Sequence, residues 1–378
     1  MDKTIAPWEQ EYEPLDELYQ GGRELIEEIA NIFTLYVDLP DKAERLLALW
    51  VIHTYTIGVT RVNPLLYIYS PQMRCGKSTL LSVLSRLVNR PMQVSGMSSA
   101  ALYRSVEAWQ PTLLLDEADS FLKAKSESAE ALRGIINSCW TRESAFKAVC
   151  VGKSHSVSAF PTYTPVAIAG IGNLEKTFIT IADRSIVIKL ERKEQSKKLQ
   201  RLTMDDESMN YFDFIRQQCH TWASINNDTV GGYQQMDVDW FESMDDRTKD
   251  NFEVLNAIAK SNLMKPSWLK EAYESNRHIS ESENIDSLLL SDINEYFEEK
   301  DTTFVPTFAL IDYLVEKQER PWATWSRGSP ISTYSLSKKL GAYNIKPSKK
   351  RQGDHTPRGY FCDDNFKKQL ERYCQVDK

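Results

Sequence analysis

The feature that most constrains the fold is an apolar run of strand length that leads through a turn-forming stretch into a helical pattern. Leu65 to Tyr69 is unbroken apolar sequence, residues 70–78 read SPQMRCGKS, and residues 79–88 read TLLSVLSRLV, with leucine and valine at helical spacing. The loop ends like the phosphate-binding pattern G-x-x-x-x-G-K-[ST], although Pro71 replaces the first glycine. A short GKS match also arises by chance, and the order of strand, loop and helix is what favours a nucleotide site.

In such a loop the backbone N–H groups surround the β-phosphate at the start of the helix. We predict that Lys77 reaches the β- and γ-phosphates, that the Ser78 hydroxyl binds Mg²⁺, and that Gly76 lets the backbone approach the phosphate closely. Proline at the loop entrance is compatible with this role because its fixed φ suits a slightly different turn. The predicted nucleotide-binding residues are Pro71, Gln72, Met73, Arg74, Cys75, Gly76, Lys77, Ser78 and Thr79.

A second motif supplies carboxylates. The run TLLLDEAD places an apolar strand, Leu113 to Leu115, directly before Asp116 and Glu117. Sites in open parallel sheets lie at the carboxyl ends of the strands. We expect Asp116 to hold Mg²⁺ through water and Glu117 to act as the general base on the attacking water. The alternative is that these acids only cap the following helix, but a cap does not need an apolar strand before it.

Three more apolar runs complete a set of five predicted strands with helices between them. They cover Met92 to Val94, residues 165–170 (PVAIAG) and residues 185–190 (SIVIKL). Asn173 follows the fourth strand, where it could orient the attacking water, and Arg184 precedes the fifth. Asparagine is also a common turn residue and arginine a common member of surface ion pairs, so both alternatives stay open. The pattern predicts an α/β fold with a five-stranded parallel sheet.

The order of these motifs resembles that of AAA+ ATPases. The blocks SPQMRCGKSTLL, AALYRSVEAWQPTLLLDEADSFL, LRGIINS, PVAIAGIG and ADRSIVIKL more specifically resemble the family catalogued as domain of unknown function 3631, met in plasmid and phage replication proteins. The resemblance extends from LLALWVIHT through PWATWSRG. It implies a P-loop ATPase that uses ATP and Mg²⁺ at the loop and carboxylate residues named above. Asn173 then resembles the sensor residue, and Arg184 resembles the finger that reaches into a neighbouring subunit's site.

Two further segments receive roles through the same resemblance. In DDRTKDNFEVLNAIAK, Arg247 resembles the second-sensor arginine of a lid helix, although an exposed arginine at a helix start is equally typical. Residues 145–163 alternate like two short strands around GKSH, which predicts a hairpin with Lys153 and His155 at its tip. In hexameric helicases that this arrangement resembles, the basic tip of such a hairpin grips DNA in the central channel. An ordinary surface hairpin is the alternative.

The carboxyl-terminal part is basic within an acidic chain. The net charge is −7, and residues 1–60 carry twelve acidic and four basic side chains, whereas residues 301–378 carry fourteen basic and nine acidic ones. Three helical patterns followed by an alternating stretch across a turn give the element order of a winged helix, although a solvated basic face or a protein-docking module would read the same way. The predicted DNA-binding residues there are Lys338, Lys339, Lys349, Lys350, Arg351 and Arg358.

Composition narrows the class of protein. The chain has 378 residues, of which 42% are apolar and 26% charged, as is typical of globular proteins. Its six cysteines form no C-x-x-C pair and no zinc-site spacing with histidine, which predicts reduced thiols and a cytoplasmic location. The acidic first residues and the short apolar run LLALWVIHTYTIGV predict neither a signal peptide nor a membrane partner.

We therefore expect an acidic helical amino-terminal segment (1–60), an AAA+ ATPase core (61–195), a helical lid (196–283) and a winged-helix-like domain (284–378). The predicted function is ATP hydrolysis that drives translocation or unwinding of single-stranded or forked DNA in the replication of a mobile element, by a homo-oligomer in a hexameric ring. The alternative is an ATPase switch or remodeller that acts on a protein partner in an antiphage defence or regulatory complex.

Overall fold

A computed structural model describes residues 21–151, 156–172, 175–203, 205–233, 239–241, 244–276, 281–317, 319–326, 328–351, 353 and 355–374. The chain divides into two compact units, Met1–His278 and Ile279–Lys378.

The first unit is built around a five-stranded parallel sheet, as far as the described residues show, with strand order β2-β3-β6-β1-β7. The sheet consists of β1 (Leu65–Ser70), β2 (Pro91–Val94), β3 (Thr112–Leu115), β6 (Val166–Ile171) and β7 (Ser185–Lys189), and the separate strands β4 (Phe146–Val151) and β5 (Ser156–Pro161) lie between β3 and β6 in the chain. The sequence predicted all five strands of this sheet, and the structure confirms them to within one residue at each end. The α/β fold is therefore confirmed.

Helices cover both faces of the sheet, which explains why its strands are nearly continuous apolar runs. They are α1 (Gly22–Tyr36), α2 (Ala43–Thr56), α3 (Lys77–Ser85), α4 (Ser99–Trp109), α5 (Ala118–Leu122), α6 (Glu127–Ser138), α7 (Glu175–Ala182), α8 (Asp206–Tyr233), α9 (Asp246–Ser261) and α10 (Pro266–Asn276). Leu66 and Ile68 of β1 belong to the core formed with α1–α3 and α8–α10, whereas Leu65 and Tyr67 belong to the core formed with α4–α7. The alternation along β1 thus serves two cores at once.

The helices α8, α9 and α10, where a lid was expected, pack into the core of the sheet. Trp222 of α8 and Leu255 of α9 are fully buried in the cluster that also contains β1 and α2. Helices α1 and α2, from the expected amino-terminal segment, lie in the same cluster. The physical reason is that each of these helices has an apolar face, and one shared core buries all of them.

Within the part of the chain that the structure describes, strands β4 and β5 pair only with each other, in an antiparallel hairpin with Val151 opposite Ser156. The predicted hairpin is therefore confirmed, while its predicted tip residues Lys153 and His155 lie outside the described residues. Over the described parts of both units, the helices lack either the length or the apolar content needed to cross a membrane.

The second unit combines helices with a small antiparallel sheet of order β8-β10-β9. Leu336 and Leu340, predicted on one helical face, are both fully buried in its core. The strand β8 was not predicted from the sequence, because it has three residues and ends in a proline. Its elements are α11 (Glu281–Glu299), β8 (Phe304–Pro306), α12 (Thr307–Glu316), α13 (Thr333–Ala342), β9 (Ser348–Lys349), β10 (Arg358–Phe361) and α14 (Asp364–Tyr373).

Candidate functional site

The loop between β1 and α3 carries a buried lysine. Gly76, the residue before α3, has φ +88°, a backbone conformation that glycine adopts without strain, and Arg74 also has a positive φ of 63°. Lys77 is only 9% exposed, and its Nζ donates to Ser70 Oγ at 2.5 Å and to the Gln72 carbonyl at 3.3 Å. Within the described residues no carboxylate lies at ion-pair distance from it. A buried ammonium with only neutral oxygen partners is suited to receive an anion.

The two acids of the second motif lie at the end of β3. Glu117 is exposed and has φ +53°, a left-handed conformation that is strained for glutamate. Asp116 Oδ1 accepts from the Glu117 N–H at 2.8 Å, which fixes this carboxylate against the turn. Because only β6 separates β3 from β1, the ends of these two strands lie about 10 Å apart. A phosphate group between Lys77 and Asp116 would fit that spacing.

Two residues that the sequence analysis did not single out tie this motif to the neighbouring strand. Asp119 Oδ1 accepts from the Ile171 N–H at 2.9 Å, and Lys123 Nζ donates to the Ile171 carbonyl at 3.3 Å. Both contacts hold α5 against the carboxyl end of β6. Asp119 is the last letter of DEAD, so the motif itself was the available signal. Asn173, the predicted sensor, lies two residues further on and outside the described residues.

A cleft of about 500 Å³ lies beside the loop at the same edge of the sheet. It is lined by residues from the α1–α2 connection, from β7 and the chain after it, and from the end of α10, among them Asp38, Pro40, Lys189, Arg192 and Asn276. Lys189 is paired with Tyr69 of β1. The methyl Cγ1 of Val37, the residue before Asp38, would lie 3.5 Å from a Cβ at Gly76. No motif predicted this cleft, because its lining comes from three segments that are distant in the sequence.

The residues expected to hold Mg²⁺ are few. Ser78 is exposed in the first turn of α3, and Asp116 is half-buried. Across the described residues, no cluster of three or more His, Cys, Asp or Glu side chains could hold a metal ion by itself. The Ser78 hydroxyl and the Asp116 carboxylate are oxygen ligands of the kind that Mg²⁺ binds, usually one or two together with phosphate and water.

Arg184 lies at the opposite edge of the sheet. Its carbonyl accepts from the N–H of Leu65, the first residue of β1, at 2.9 Å, whereas Lys77 contacts Ser70, the last residue of β1. A strand of this length separates the two edges by roughly 16 Å. Arg184 Nη1 donates to the Thr180 carbonyl at 2.8 Å, and burial, followed by the charge of Arg247, lowers the pKa of its guanidinium.

The structure brings Arg247 to Arg184 and not to Lys77. Arg247 Nε lies 3.5 Å from Asp183 Oδ2, and its guanidinium carbon lies 4.2 Å from the centroid of the Trp140 ring. The guanidinium carbon of Arg184 lies over the same ring at 5.5 Å. The Trp140 carbonyl is bonded to Asn63 just before β1, and residues 183 and 184 precede β7, so Arg247 lies at the strand-start edge of the sheet.

The basic residues of the second unit lie on α13 and on the hairpin β9–β10. Lys338, Lys349, Arg351 and Arg358 are exposed, whereas Lys339 and Lys350 are half-buried. Lys350 Nζ lies over the rings of Phe304 at 5.3 Å and Phe361 at 5.8 Å, so the sheet already holds it. Lys349 stands directly opposite Arg358 in the register, and like charges in this position repel each other.

Comparison with known proteins gives a partial family match. Residues 189–373, just under half of the chain, match the family model described as Protein of unknown function (DUF3631). The match begins at Lys189, so the motif blocks that carry the resemblance in the sequence lie almost wholly outside it. The candidate loop and the Asp116–Glu117 turn are not covered. The search of the curated proteins found no match.

Several solved structures are distantly similar. The apo structure of the NrS-1 C-terminal region (305–718) aligns with a TM-score of 0.41 at 13% identity, over 93% of this chain and 77% of that chain. An A-form apo structure of the same region aligns with a TM-score of 0.39 at 12% identity, over 93% of this chain and 76% of that chain. A further A-form apo structure aligns with a TM-score of 0.43 at 11% identity, over 93% of this chain and 77% of that chain. Similarity at this level carries no conclusion about function.

Proposed function

We propose that the first unit binds and hydrolyses ATP at the carboxyl edge of its sheet. The observation that carries the proposal is the buried Lys77, held by neutral oxygens in a loop whose neighbour, about 10 Å away, is the strained Asp116–Glu117 turn. Loop, turn and cleft together offer a phosphate site, a base and room for a nucleoside. The unit would thus be a P-loop ATPase of the AAA+ type, with order β2-β3-β6-β1-β7 in its sheet.

Each residue has a definite task in this proposal. Lys77 neutralises the β- and γ-phosphates, and the N–H groups of the loop and of the start of α3 bind their oxygens. Glu117 orients the attacking water and accepts its proton. Ser78 and Asp116 would hold Mg²⁺, which supplies charge neutralisation on the phosphates when bound. Asp119 keeps the turn against β6 so that the base stays in place.

We further propose a site assembled from two copies of the chain, which the position of Arg184 supports. A side chain roughly 16 Å from Lys77 along β1 does not reach the phosphates of its own chain. In a closed homo-oligomer the strand-start edge of one copy can face the strand-end edge of the next. We place Arg184 there as the residue that completes the neighbour's site, in a hexameric ring.

The second unit is proposed as a winged helix that binds DNA. The order α11-β8-α12-α13-β9-β10 and the sheet order β8-β10-β9 support this assignment. In that fold α13 enters the major groove and the β9–β10 hairpin contacts phosphates. The repulsion between Lys349 and Arg358 would be relieved by a phosphate between them.

Together these units support ATP-driven translocation or unwinding of DNA, and the family resemblance suggests the replication of a mobile element. The test is ATP turnover of the full chain with and without single-stranded DNA. We expect turnover that DNA stimulates. Turnover that DNA leaves unchanged would contradict the translocase, and no turnover in any condition would contradict the ATPase.

Variants assign the turnover to the proposed site. Lys77→Ala should abolish turnover, and Glu117→Gln should bind ATP while losing about 100-fold or more of the rate. Lys270→Ala is the matched control, because this exposed lysine pairs with Glu274 on the surface of α10. Full turnover in Lys77→Ala would place the chemistry elsewhere.

A protein partner is the second candidate for the second unit. Phe308 on α12 is 65% exposed and Tyr334 on α13 is 74% exposed, and large exposed rings are common in protein interfaces. In that case the ATPase would act as a switch or remodeller of that partner. Stimulation of turnover by a partner protein, with no effect of DNA, would favour it.

A further inference from the structure

Trp140 connects three segments at the strand-start edge of the first unit. It lies between α6 and β4 and is only 8% exposed. Its indole Nε1 donates to Asn251 Oδ1 at 2.8 Å, and Asn251 Nδ2 donates to the Asp183 carbonyl at 2.9 Å. The Trp140 carbonyl accepts from the Asn63 N–H at 2.7 Å. These bonds fix the plane of the ring.

The guanidinium groups of Arg184 and Arg247 both lie over the Trp140 ring. Among the described residues, fewer acidic side chains than arginines are available to pair with them. Asp183 lies 3.5 Å from Arg247, while the nearby acids Asp250 and Glu253 are bound to Arg61 at 2.9 and 3.1 Å. The buried Nη1 of Arg247 has no hydrogen-bond partner among the described residues. The Arg247 side chain as a whole is still 31% exposed, so an anion from outside can reach its other atoms.

Two other arginines that stack on rings in this unit, Arg142 and Arg45, lack these features. Arg142 lies over Tyr163 at 4.5 Å and donates to the carbonyls of Ile57 and Thr60. Arg45 lies over Trp268 at 5.1 Å and pairs with Glu271 at 3.2 Å. Their donors are used inside the fold, as expected of structural arginines.

We infer that Trp140 is a positioning residue that holds Arg184 and Arg247 together as one anion site, and that this site takes the phosphate end of a nucleotide bound by a second copy of the chain. The inference rests on the proposed function, which placed only Arg184 in that role. It assigns Arg247 to the neighbour's site. The flat ring and its fixed plane keep both guanidinium groups pre-oriented, so little side-chain freedom is lost when the phosphate arrives.

Mixtures of inactive variants separate a role in the neighbour's site from a role in the chain's own site. If Arg247 acts on the neighbour, Arg247→Ala mixed with Glu117→Gln restores turnover, because some interfaces join an intact Glu117 to an intact arginine pair. In a random equimolar mixture about a quarter of the interfaces do so. Arg247→Ala mixed with Arg184→Ala then restores nothing, because every interface lacks one arginine.

The opposite role predicts the opposite pattern. If Arg247 acted in its own chain's site, the mixture with Glu117→Gln would stay inactive and the mixture with Arg184→Ala would recover. That result would overturn the inference while leaving the ATPase intact. Arg184→Ala with Glu117→Gln is the reference mixture, and its failure to recover would instead contradict the shared site of the proposed function. Arg45→Ala is the matched control and should keep the turnover of the unmodified chain.

The claim about Trp140 has its own variants. Arg247→Ala should lower kcat on the order of 100-fold with little change in ATP affinity. Trp140→Leu should lower kcat in the same way and recover with Glu117→Gln but not with Arg184→Ala. Trp140→Phe keeps an aromatic face and should retain more activity than Trp140→Leu. Recovery of a Trp140→Leu subunit by Glu117→Gln also shows that its own Lys77 edge is folded.

Two results would refute the positioning role. One is a kcat for both Trp140 variants equal to that of the unmodified chain. The other is a loss that Arg184→Ala subunits restore, because damage confined to the chain's own site gives that pattern. Should Trp140→Leu fail to assemble in light scattering, Trp140→Phe alone decides: kcat must fall with ATP affinity unchanged, and an unchanged kcat refutes the claim.

Discussion

The stability of the second unit should depend on one buried carboxylate. Asp292 of α11 is fully buried, and its Oδ1 lies 3.2 Å from Arg320 Nε and 3.5 Å from Lys317 Nζ. Its Oδ2 accepts from Trp322 Nε1 at 2.7 Å. The Trp322 carbonyl in turn accepts from the Ile331 N–H at 2.8 Å, just before α13 begins. Asp292 therefore anchors the connection that positions the basic helix.

The effect of Asp292→Asn follows from these contacts. Removing the charge from a buried ion pair costs about 3–5 kcal/mol when both partners are buried. Here Lys317 and Arg320 are 20% and 34% exposed, and Lys317 keeps Glu295 at 2.8 Å. We therefore expect the free energy of unfolding of this unit to fall by about 2–3 kcal/mol, or by roughly 10–20 °C in its Tm.

Hydrogen exchange of the full chain, followed on peptides of α11 and α12, measures this change. Glu295→Gln is the matched control: it removes a 46% exposed partner of the same Lys317 and should cost about 1 kcal/mol or less. Equal losses of protection in the two variants would refute the argument, because they would show that burial of Asp292 adds nothing.

Two further predictions concern acid stability and DNA binding. Burial lowers the pKa of His53 to about 4, so below pH ~6.5 the unfolded chain takes up a proton that the folded chain does not, and stability should fall by about 1.4 kcal/mol per pH unit until pH ~4. Urea titrations of the first unit at several pH values measure how its free energy of unfolding depends on pH, and this dependence should be weaker in His53→Leu. The same dependence in His53→Leu and in the unmodified chain would disprove the role of His53. Neutralising Lys338, Lys339, Lys349, Lys350 and Arg351 should reduce the slope of log K against log salt for DNA binding by roughly one per lost phosphate contact. The control Lys367→Ala with Lys368→Ala, on α14, should leave the slope unchanged, and an unchanged slope in the five-residue variant would assign the basic face to a protein partner.

The sheet was predictable because its strands are apolar on both faces. Runs such as Leu65 to Tyr69 stand out against turn-forming neighbours. They are apolar throughout because the sheet is buried between two layers of helices. The face of α9 was also predictable, since Phe252, Leu255 and Ile258 recur at helical spacing and are all buried. The elements that pack against this face of α9 were not predictable, because periodicity shows which face of a helix is apolar but not which element covers it.

The same limit explains why the sequence did not point to Trp140, the proposed positioning residue. Lys77 and Glu117 belong to local motifs whose spacing can be recognised in one stretch of chain. Trp140 lies in no motif, and its importance comes from Asn251 and from two arginines far apart in the sequence. The place of Arg247 could not be read from the sequence for the same reason, because it depends on where α9 starts in space, at the edge where β7 begins.

The measurement that tests the central claim most directly is the specific rate of ATP turnover as a function of protein concentration, with the assembly state followed by light scattering on the same samples. A site built from the Lys77 edge of one copy and the arginine pair of another predicts a rate per chain that rises with concentration in step with assembly. A rate per chain that stays constant down to concentrations at which only monomers scatter would contradict the shared site.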